Sequence, residues 1–130
     1  MASNNPADLK YSTEHEWVRM QGETAVVGIT HFAQDSLGDI VYISLPDVGA
    51  NVKQFQKMGE VESVKAVSDL YSPVSGKVIE RNDAALKSPE IINKEPFSGG
   101  WLIKVQLADA GEVEKLLDAA AYDKLTAGGH

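Results

Sequence analysis

Hydrophobic and polar residues alternate in short runs along most of this chain, and turns containing glycine or proline separate the runs. A period of two residues is typical of β-strands that bury one face. The pattern predicts strands at residues 17–20, 24–29, 40–45, 52–56, 59–63, 67–71, 77–82 and 101–107. Two of these strands have a continuous apolar face, formed by Val41, Ile43 and Leu45 in one and by Trp101, Ile103, Val105 and Leu107 in the other. We expect Trp101 to be largely buried.

The period changes in two places, and helices are expected there. Thr30 and Gly38 are a suitable N-cap and a suitable stop for a short helix between them. Asp109 has a capping-box partner in Glu112, three positions on. Apolar residues at helical spacing follow, so a second helix is predicted to continue to residue 125.

Many short strands with few helices predict a mainly β fold, a small barrel or sandwich with a short internal helix and C-terminal helices. The chain has 130 residues, enough for one hydrophobic core and too few for two. We assign residues 1–130 to a single domain, with a loose lead-in at 1–8 and a loose tail at 126–130. Residues 83–100 contain prolines and a Gly–Gly pair and are predicted to form a loop.

Composition narrows the classes of function. Hydrophobic residues make up 43% of the chain, which favours a globular fold over disorder. The net charge of −7 disfavours nucleic acids and anionic membranes as partners and suits basic protein surfaces. The absence of cysteine excludes disulfides, thiolate zinc sites and a cysteine nucleophile, so any redox chemistry must come from an added group.

The sequence also predicts where in the cell the protein is found. No apolar run approaches the roughly 20 residues that span a bilayer. The first residues have neither the basic and apolar regions of a secretory signal nor the arginines of a mitochondrial presequence. We therefore expect a cytoplasmic protein, and a processed mitochondrial form stays compatible with the sequence.

Lys65 stands between two predicted strands, at the expected tip of a hairpin. An ammonium group on a flexible stem is open to acylation, so such a lysine is a suitable attachment point. Spacing alone also fits an ordinary surface lysine, because exposed lysines are common in proteins. Other lysines with that ordinary interpretation are Lys53, Lys57, Lys77 and Lys87.

The residues around Lys65 carry a resemblance to a known family. The segment 59–76, with Glu62-Ser63-Val64-Lys65-Ala66 at its centre, closely resembles the lipoylation motif of the glycine cleavage system H proteins. Further matching motifs are His15-Glu16-Trp17, Val27-Gly28-Ile29-Thr30, Leu37-Gly38-Asp39-Ile40-Val41, Leu45-Pro46, Val48-Gly49, Ile92-Asn93 and Gly100-Trp101-Leu102-Ile103-Lys104. The resemblance runs from about Leu9 to Leu125. His31 departs from it, because the family commonly has an acidic residue there.

The resemblance implies a flattened β-barrel or sandwich of the lipoyl/biotinyl carrier type and a non-catalytic role. Lipoate would be joined as an amide to Lys65, in a turn recognised through Glu62, Ser63, Val64 and Ala66. The lipoyl arm would carry an aminomethyl group and, when loaded, would fold into a cleft. The resemblance places three acidic residues at this cleft: Glu14, Glu16 and Asp69.

The resemblance also implies partners. They are glycine decarboxylase (the P protein), the aminomethyltransferase (the T protein), dihydrolipoyl dehydrogenase (the L protein) and a lipoate-attaching enzyme. Neither nucleic acid nor membrane is expected among them, and the chain is expected to be a monomer.

Four other interpretations compete with this one. A biotin carrier would have methionines beside the lysine, where this chain has Val64 and Ala66. A lipoyl domain of another multienzyme complex typically has aspartate before its lysine and lacks the long extensions seen here. An enzyme would need an acid–base group, for which His15 is the best candidate, but we interpret His15 as structural. A module with an unmodified lysine is a further possibility.

Overall fold

Two antiparallel β-sheets form the body of the protein. The structure is a computed structural model that describes residues 5–127; residues 1–4 of the predicted lead-in and 128–130 of the predicted tail lie outside the described residues. The strands are β1 (Lys10–Tyr11), β2 (Glu16–Gln21), β3 (Thr24–Ile29), β4 (Ile40–Ser44), β5 (Asn51–Val52), β6 (Lys57–Ser63), β7 (Val67–Tyr71), β8 (Gly76–Arg81) and β9 (Ile103–Leu107). The helices are α1 (His31–Leu37), α2 (Asp83–Lys87), α3 (Glu90–Lys94) and α4 (Ala119–Ala127), with a 3₁₀-helix at Ala110–Lys115.

The larger sheet has the strand order β1-β2-β3-β9-β8-β5, and the smaller one has the order β4-β6-β7. Their facing sides share one apolar core, to which β2, β3 and β9 contribute from the larger sheet and β4, β6 and β7 from the smaller. This arrangement confirms the predicted mainly β sandwich. Among the described residues, none of the helices combines the length and the apolar character that a membrane span requires.

A second, smaller core lies where the two ends of the described chain meet. It contains Leu9, Tyr11, Trp17, Val26 and Tyr122, all buried. The backbones of Tyr11 and Leu117 exchange two hydrogen bonds, of 2.8 and 2.7 Å. The Tyr11 hydroxyl donates to the Pro6 carbonyl at 2.6 Å, which attaches residues 5–8 to the body. The C-terminal helix α4 is thus packed against β1 through this second core.

Four expectations from the pattern are wrong in part. Residues 83–100 contain helices α2 and α3, because Asn82 caps α2 through the Ala85 amide and the prolines stand only at helix boundaries. The predicted helix 113–125 is interrupted: the 3₁₀-helix ends at Lys115 and α4 begins at Ala119. The Glu112 carboxylate accepts hydrogen bonds from Ser75 at 2.8 Å rather than completing a capping box. The strand expected at 52–56 ends at Val52.

Two further expectations, both about the burial of apolar residues, are also wrong in part. The register between β4 and β6 shifts between Ile40 and Tyr42, and this bulge leaves Val41 50% exposed instead of on the core face. Trp101 precedes its strand and is only partly buried, with the Lys104 ammonium 5.1 Å from its ring centre. The fully buried tryptophan is Trp17, whose indole donates to the Pro96 carbonyl at 2.8 Å.

Candidate functional site

Lys65 is exposed at the tip of the β6–β7 hairpin. The turn is closed by Ser63, whose backbone N–H donates to the Ala66 carbonyl at 2.8 Å. The Ser63 hydroxyl oxygen also accepts from the backbone N–H of Ala66 at 3.1 Å and of Lys65 at 3.3 Å. Ser63 is buried, whereas Val64 is 70% exposed. The buried Ser63 therefore fixes the backbone of the turn, and the lysine side chain stays exposed to solvent.

A second segment of the chain supports the hairpin tip. The Val64 amide donates to the Asp39 carbonyl at 3.1 Å, in the loop between α1 and β4. In the same loop Gly38 has φ 81°, and a Cβ built on it would lie 3.7 Å from the Cε atom of Lys65. The Asn93 amide group donates to the Gly38 carbonyl at 2.8 Å. The lysine stem thus lies beside the C-terminal end of α1.

A cavity of about 260 Å³ opens along the same helix. We call it the α1 cavity, and its lining residues are Glu14, His15, Phe32, Ala33, Ser36, Leu37 and Ser68. Its wall is mixed: one phenyl ring and two aliphatic side chains stand beside an imidazole, two serines and one carboxylate. Because the α1 wall runs to Leu37, next to the loop that supports Lys65, the cavity lies on the lysine's side of the molecule.

The three acidic residues assigned to a cleft occupy different environments. Glu14 is exposed and lines the α1 cavity. Glu16 is 1% exposed; its carboxylate accepts from the Ser12 hydroxyl at 2.5 Å and from the Tyr71 amide at 3.3 Å, and burial raises its pKa to about 8. Asp69 is exposed and pairs with Lys57 at 3.3 Å. Neither Glu16 nor Asp69 is among the residues that line the α1 cavity.

His15 is held in place by other side chains. Its φ is 72°, in the left-handed region that few non-glycine residues adopt. The Nδ1 atom lies 2.7 Å from the Tyr122 hydroxyl, and the ring packs on Phe32 with 4.8 Å between centroids. Burial lowers the pKa of His15. Within the described part of the chain, no three side chains come together as a metal site would require.

Sequence reasoning missed several residues of this region. The pattern places Phe32 and Leu37 in a short helix and Tyr122 in a longer one, and it does not indicate their contacts around the cavity. Their role depends on which helix face meets which sheet, and a short helix has too few turns to indicate that. Asn93 belonged to a matching motif, but its hydrogen bonds to the α1–β4 loop follow only from the three-dimensional structure.

Comparisons with known proteins agree with this description. A family model described as Glycine cleavage H-protein matches residues 9–128. A protein of Symbiobacterium thermophilum named glycine cleavage system H protein is 56% identical over 124 residues, covering 95% of this chain and 97% of the relative. A protein of the same name from Bacillus cereus (strain AH820) is 53% identical over 121 residues, covering 93% and 95%.

A solved structure is also similar. The crystal structure of a glycine cleavage system H protein from Mycobacterium marinum superimposes with a TM-score of 0.88 at 40% identity, covering 95% of this chain and 99% of that one. At this identity and coverage, the similarity extends to the whole arrangement of strands and helices.

Proposed function

Since this chain belongs to the glycine cleavage H-protein family and is a lipoyl-bearing shuttle of the glycine cleavage system, we propose that lipoate is attached covalently to Lys65. The observation that carries the proposal is the position of the amine: it is exposed, at the tip of a turn whose backbone is fixed from below by Ser63. Attachment by the lipoate-attaching enzyme forms an amide between the lysine nitrogen and the lipoyl carboxyl carbon, while that carbon loses the group that activates it and the nitrogen loses a proton. When bound, the lipoyl group supplies a dithiol and disulfide pair that carries the aminomethyl cargo.

The residues present fit such a group. Phe32, Ala33 and Leu37 in the α1 cavity offer apolar contacts to a hydrocarbon arm, and the helix that carries them ends beside the lysine stem. Glu14 in the same cavity offers a carboxylate to the ammonium of the cargo. The cavity would hold the cargo away from bulk water. The corresponding proposal is a carrier whose partner enzymes do the chemistry.

The proposed recognition turn is Glu62, Ser63, Val64 and Ala66 around the lysine. Ser63 fixes its backbone, while Glu62, Val64 and Ala66 are exposed and accessible to a lipoate-attaching enzyme. The other proposed partners are the P protein, the T protein and the L protein, each of which must reach the same arm. The net charge of −7 suits partners with basic surfaces and disfavours nucleic acid and membranes. A cytoplasmic, monomeric, single-domain carrier is the corresponding proposal for the whole chain.

The test of attachment is mass spectrometry of protein expressed with lipoate. We expect one lipoyl group per chain, mapped by peptide analysis to Lys65. Lys65→Arg should abolish the modification and leave the melting temperature unchanged, because the side chain is exposed and the hydrogen bonds that close the turn come from backbone groups and Ser63. Lys53→Arg and Lys77→Arg are the matched controls and should be lipoylated normally. Lipoate on another lysine, or on the Lys65→Arg protein, would contradict the proposal.

The acidic residues are tested separately, by the lifetime of the loaded cargo. A carboxylate near an ammonium stabilises its charged form, more strongly where water is excluded. We expect Glu14→Gln to shorten the lifetime of the aminomethyl group after the P protein is removed, because Glu14 is the acid that lines the cavity. Glu16→Gln and Asp69→Asn test whether the two acids outside the cavity lining also contribute, Glu16 from a buried site where its raised pKa keeps it mostly protonated at neutral pH and Asp69 from its pair with Lys57. The Asp69 variant also loses its pair with Lys57, so Lys57→Met is its control. Unchanged lifetimes in all three variants would leave protection to the shape of the cavity alone.

A further inference from the structure

We propose that Tyr122, on the C-terminal helix α4, is a positioning residue for the α1 cavity, because one hydroxyl group holds two parts of the cavity wall. This inference rests on the proposed function in one respect, namely that the cavity receives the loaded arm. Tyr122 itself is not a lining residue of the cavity. It would act through His15 and Thr30, which come from different parts of the chain.

The geometry around the hydroxyl is specific. The Tyr122 oxygen lies 2.7 Å from the Nδ1 atom of His15 and 2.7 Å from the Oγ1 atom of Thr30. Tyr122 and Thr30 are both fully buried, so water does not offer these atoms an alternative partner. The aromatic ring is itself fixed, since it stacks on Tyr11 with 4.8 Å between centroids and 12° between planes. The hydroxyl position is therefore determined by the packing of α4 on β1.

His15 and Thr30, the two residues that contact the Tyr122 hydroxyl, each fix one side of the cavity. His15 lines the cavity and packs on Phe32, a second lining residue. Thr30 is the N-cap of α1, where its side chain accepts from the Ala33 amide at 3.2 Å. That helix supplies more than half of the lining residues. A shift of the Tyr122 hydroxyl would thus move the imidazole wall and the helix wall together.

The hydrogen atoms in this group can be accounted for. Thr30 Oγ1 already accepts from the Ala33 amide, so its own proton is free to go to the Tyr122 oxygen. In that order the Tyr122 proton goes to an unprotonated Nδ1 of His15, whereas in the reverse order Nδ1–H of His15 donates to Tyr122 and the Tyr122 hydroxyl donates to Thr30. Burial lowers the pKa of His15, which favours the neutral form of its ring. We assign the first order, in which the His15 proton lies on Nε2, and the imidazole signals described below decide between the two.

The alternative is that Tyr122 is only a core residue whose loss lowers stability. Tyr11 provides a matched control, because it is equally buried, stacks on Tyr122 and makes a hydroxyl hydrogen bond of its own, one where Tyr122 makes two. That bond goes to the Pro6 carbonyl and not to a residue of the cavity wall. Tyr122→Phe and Tyr11→Phe each remove one hydroxyl from the same small core, but only the first removes a hydroxyl that contacts His15 and Thr30.

The first measurement uses the lipoylated protein without cargo. We expect Tyr122→Phe to change the ¹⁵N chemical shifts of the His15 imidazole and to move its tautomer ratio away from the Nε2-protonated form. Tyr11→Phe should leave these signals as in the wild type. Thr30→Val removes the hydroxyl that donates to Tyr122, so it should change the His15 signals in the same direction. It replaces Tyr122→Phe in this test if that variant does not fold. Wild-type His15 signals in both the Tyr122 and Thr30 variants would overturn the proposal.

The second measurement uses the same proteins loaded with glycine and the P protein, which is then removed. We expect Tyr122→Phe to shorten the lifetime of the aminomethyl group about 2- to 10-fold, the range that corresponds to one net hydrogen bond. Equal shortening by Tyr11→Phe would overturn the proposal, since it would reduce the effect to general stability. A wild-type lifetime no longer than that of free aminomethylated dihydrolipoamide would instead overturn the proposed role of the cavity, while the imidazole signals still decide whether Tyr122 positions His15.

Discussion

Glu16 is a carboxyl group that the fold has removed from water. It lies at the start of β2. Its carboxyl oxygens accept hydrogen bonds from the Ser12 hydroxyl and from the Tyr71 amide. Tyr71 ends β7, so this carboxyl group links the larger sheet to the strand that follows the lysine turn. Burial outweighs these hydrogen bonds and raises its pKa from 4.5 to about 8.

The raised pKa predicts how stability depends on pH. Between about pH 4.5 and pH 8 the unfolded chain loses this proton while the native chain keeps it, so stability falls as pH rises through that window. Relative to Glu16→Gln, which does not titrate, the wild type should lose up to about 1.4 kcal/mol per pH unit. Urea unfolding from pH 4 to pH 9 measures the difference. Glu23→Gln, at an exposed carboxylate, is the control, and a Glu16→Gln profile parallel to the wild type would contradict the prediction.

The two tryptophans should differ in their contribution to stability. Trp17 is fully buried, and a Cβ built on its cross-strand neighbour Gly28 would lie 2.5 Å from the indole. Trp17→Ala should therefore cost about 3–5 kcal/mol, as large truncations in a core do. Trp101→Ala should cost clearly less, because that ring is partly exposed and covered by Lys104. Thermal unfolding of both variants checks the order, and equal losses would refute it.

The β6–β7 turn shows how one side chain can organise an element. Removing the Ser63 hydroxyl should leave the strands paired but free the amides of Lys65 and Ala66, which donate to it. We expect hydrogen exchange at these two amides to speed up about 2- to 10-fold in Ser63→Ala, as the loss of one net hydrogen bond predicts. Ser68→Ala, an exposed serine on the same hairpin, is the control. Equal exchange in the two variants would contradict the structural role of Ser63.

At the scale of elements, the sequence predicted those strands, turns and helix caps that depend on neighbouring residues in the chain. The β2–β3 hairpin, the α1 helix with its Thr30 cap, and the position of Lys65 between two strands all follow from pattern and turn residues. The exposure of Val41 did not follow from the pattern, because a bulge moves a side chain to the other face without changing the composition of the strand. The α1 cavity was likewise not predictable, since its walls come from segments that only the tertiary fold brings together.

At the scale of the whole molecule, the lysine turn is held by a hydrogen bond from outside its hairpin, and this should affect how fast the turn is lipoylated. A synthetic peptide of residues 59–71 contains the turn but lacks Asp39, whose carbonyl accepts from the Val64 amide. An isolated hairpin of this length is marginally stable in water. We expect the lipoate-attaching enzyme to modify the peptide far more slowly than the folded protein, as compared by kcat/KM on the two substrates. Equal values would show that a linear sequence is sufficient for recognition.

The contact between His15 and Tyr122 also has a consequence for the order of events during translation. The two residues are 107 positions apart, so at a synthesis rate of about 5–20 residues per second the hydroxyl follows the imidazole by about 5–20 s. Lys65 is translated within that interval. A ribosome that stalls before Tyr122 would leave a nascent chain with a complete lysine turn and no anchor for the wall beside it. The site of attachment and the shelter for its cargo are therefore finished at different times.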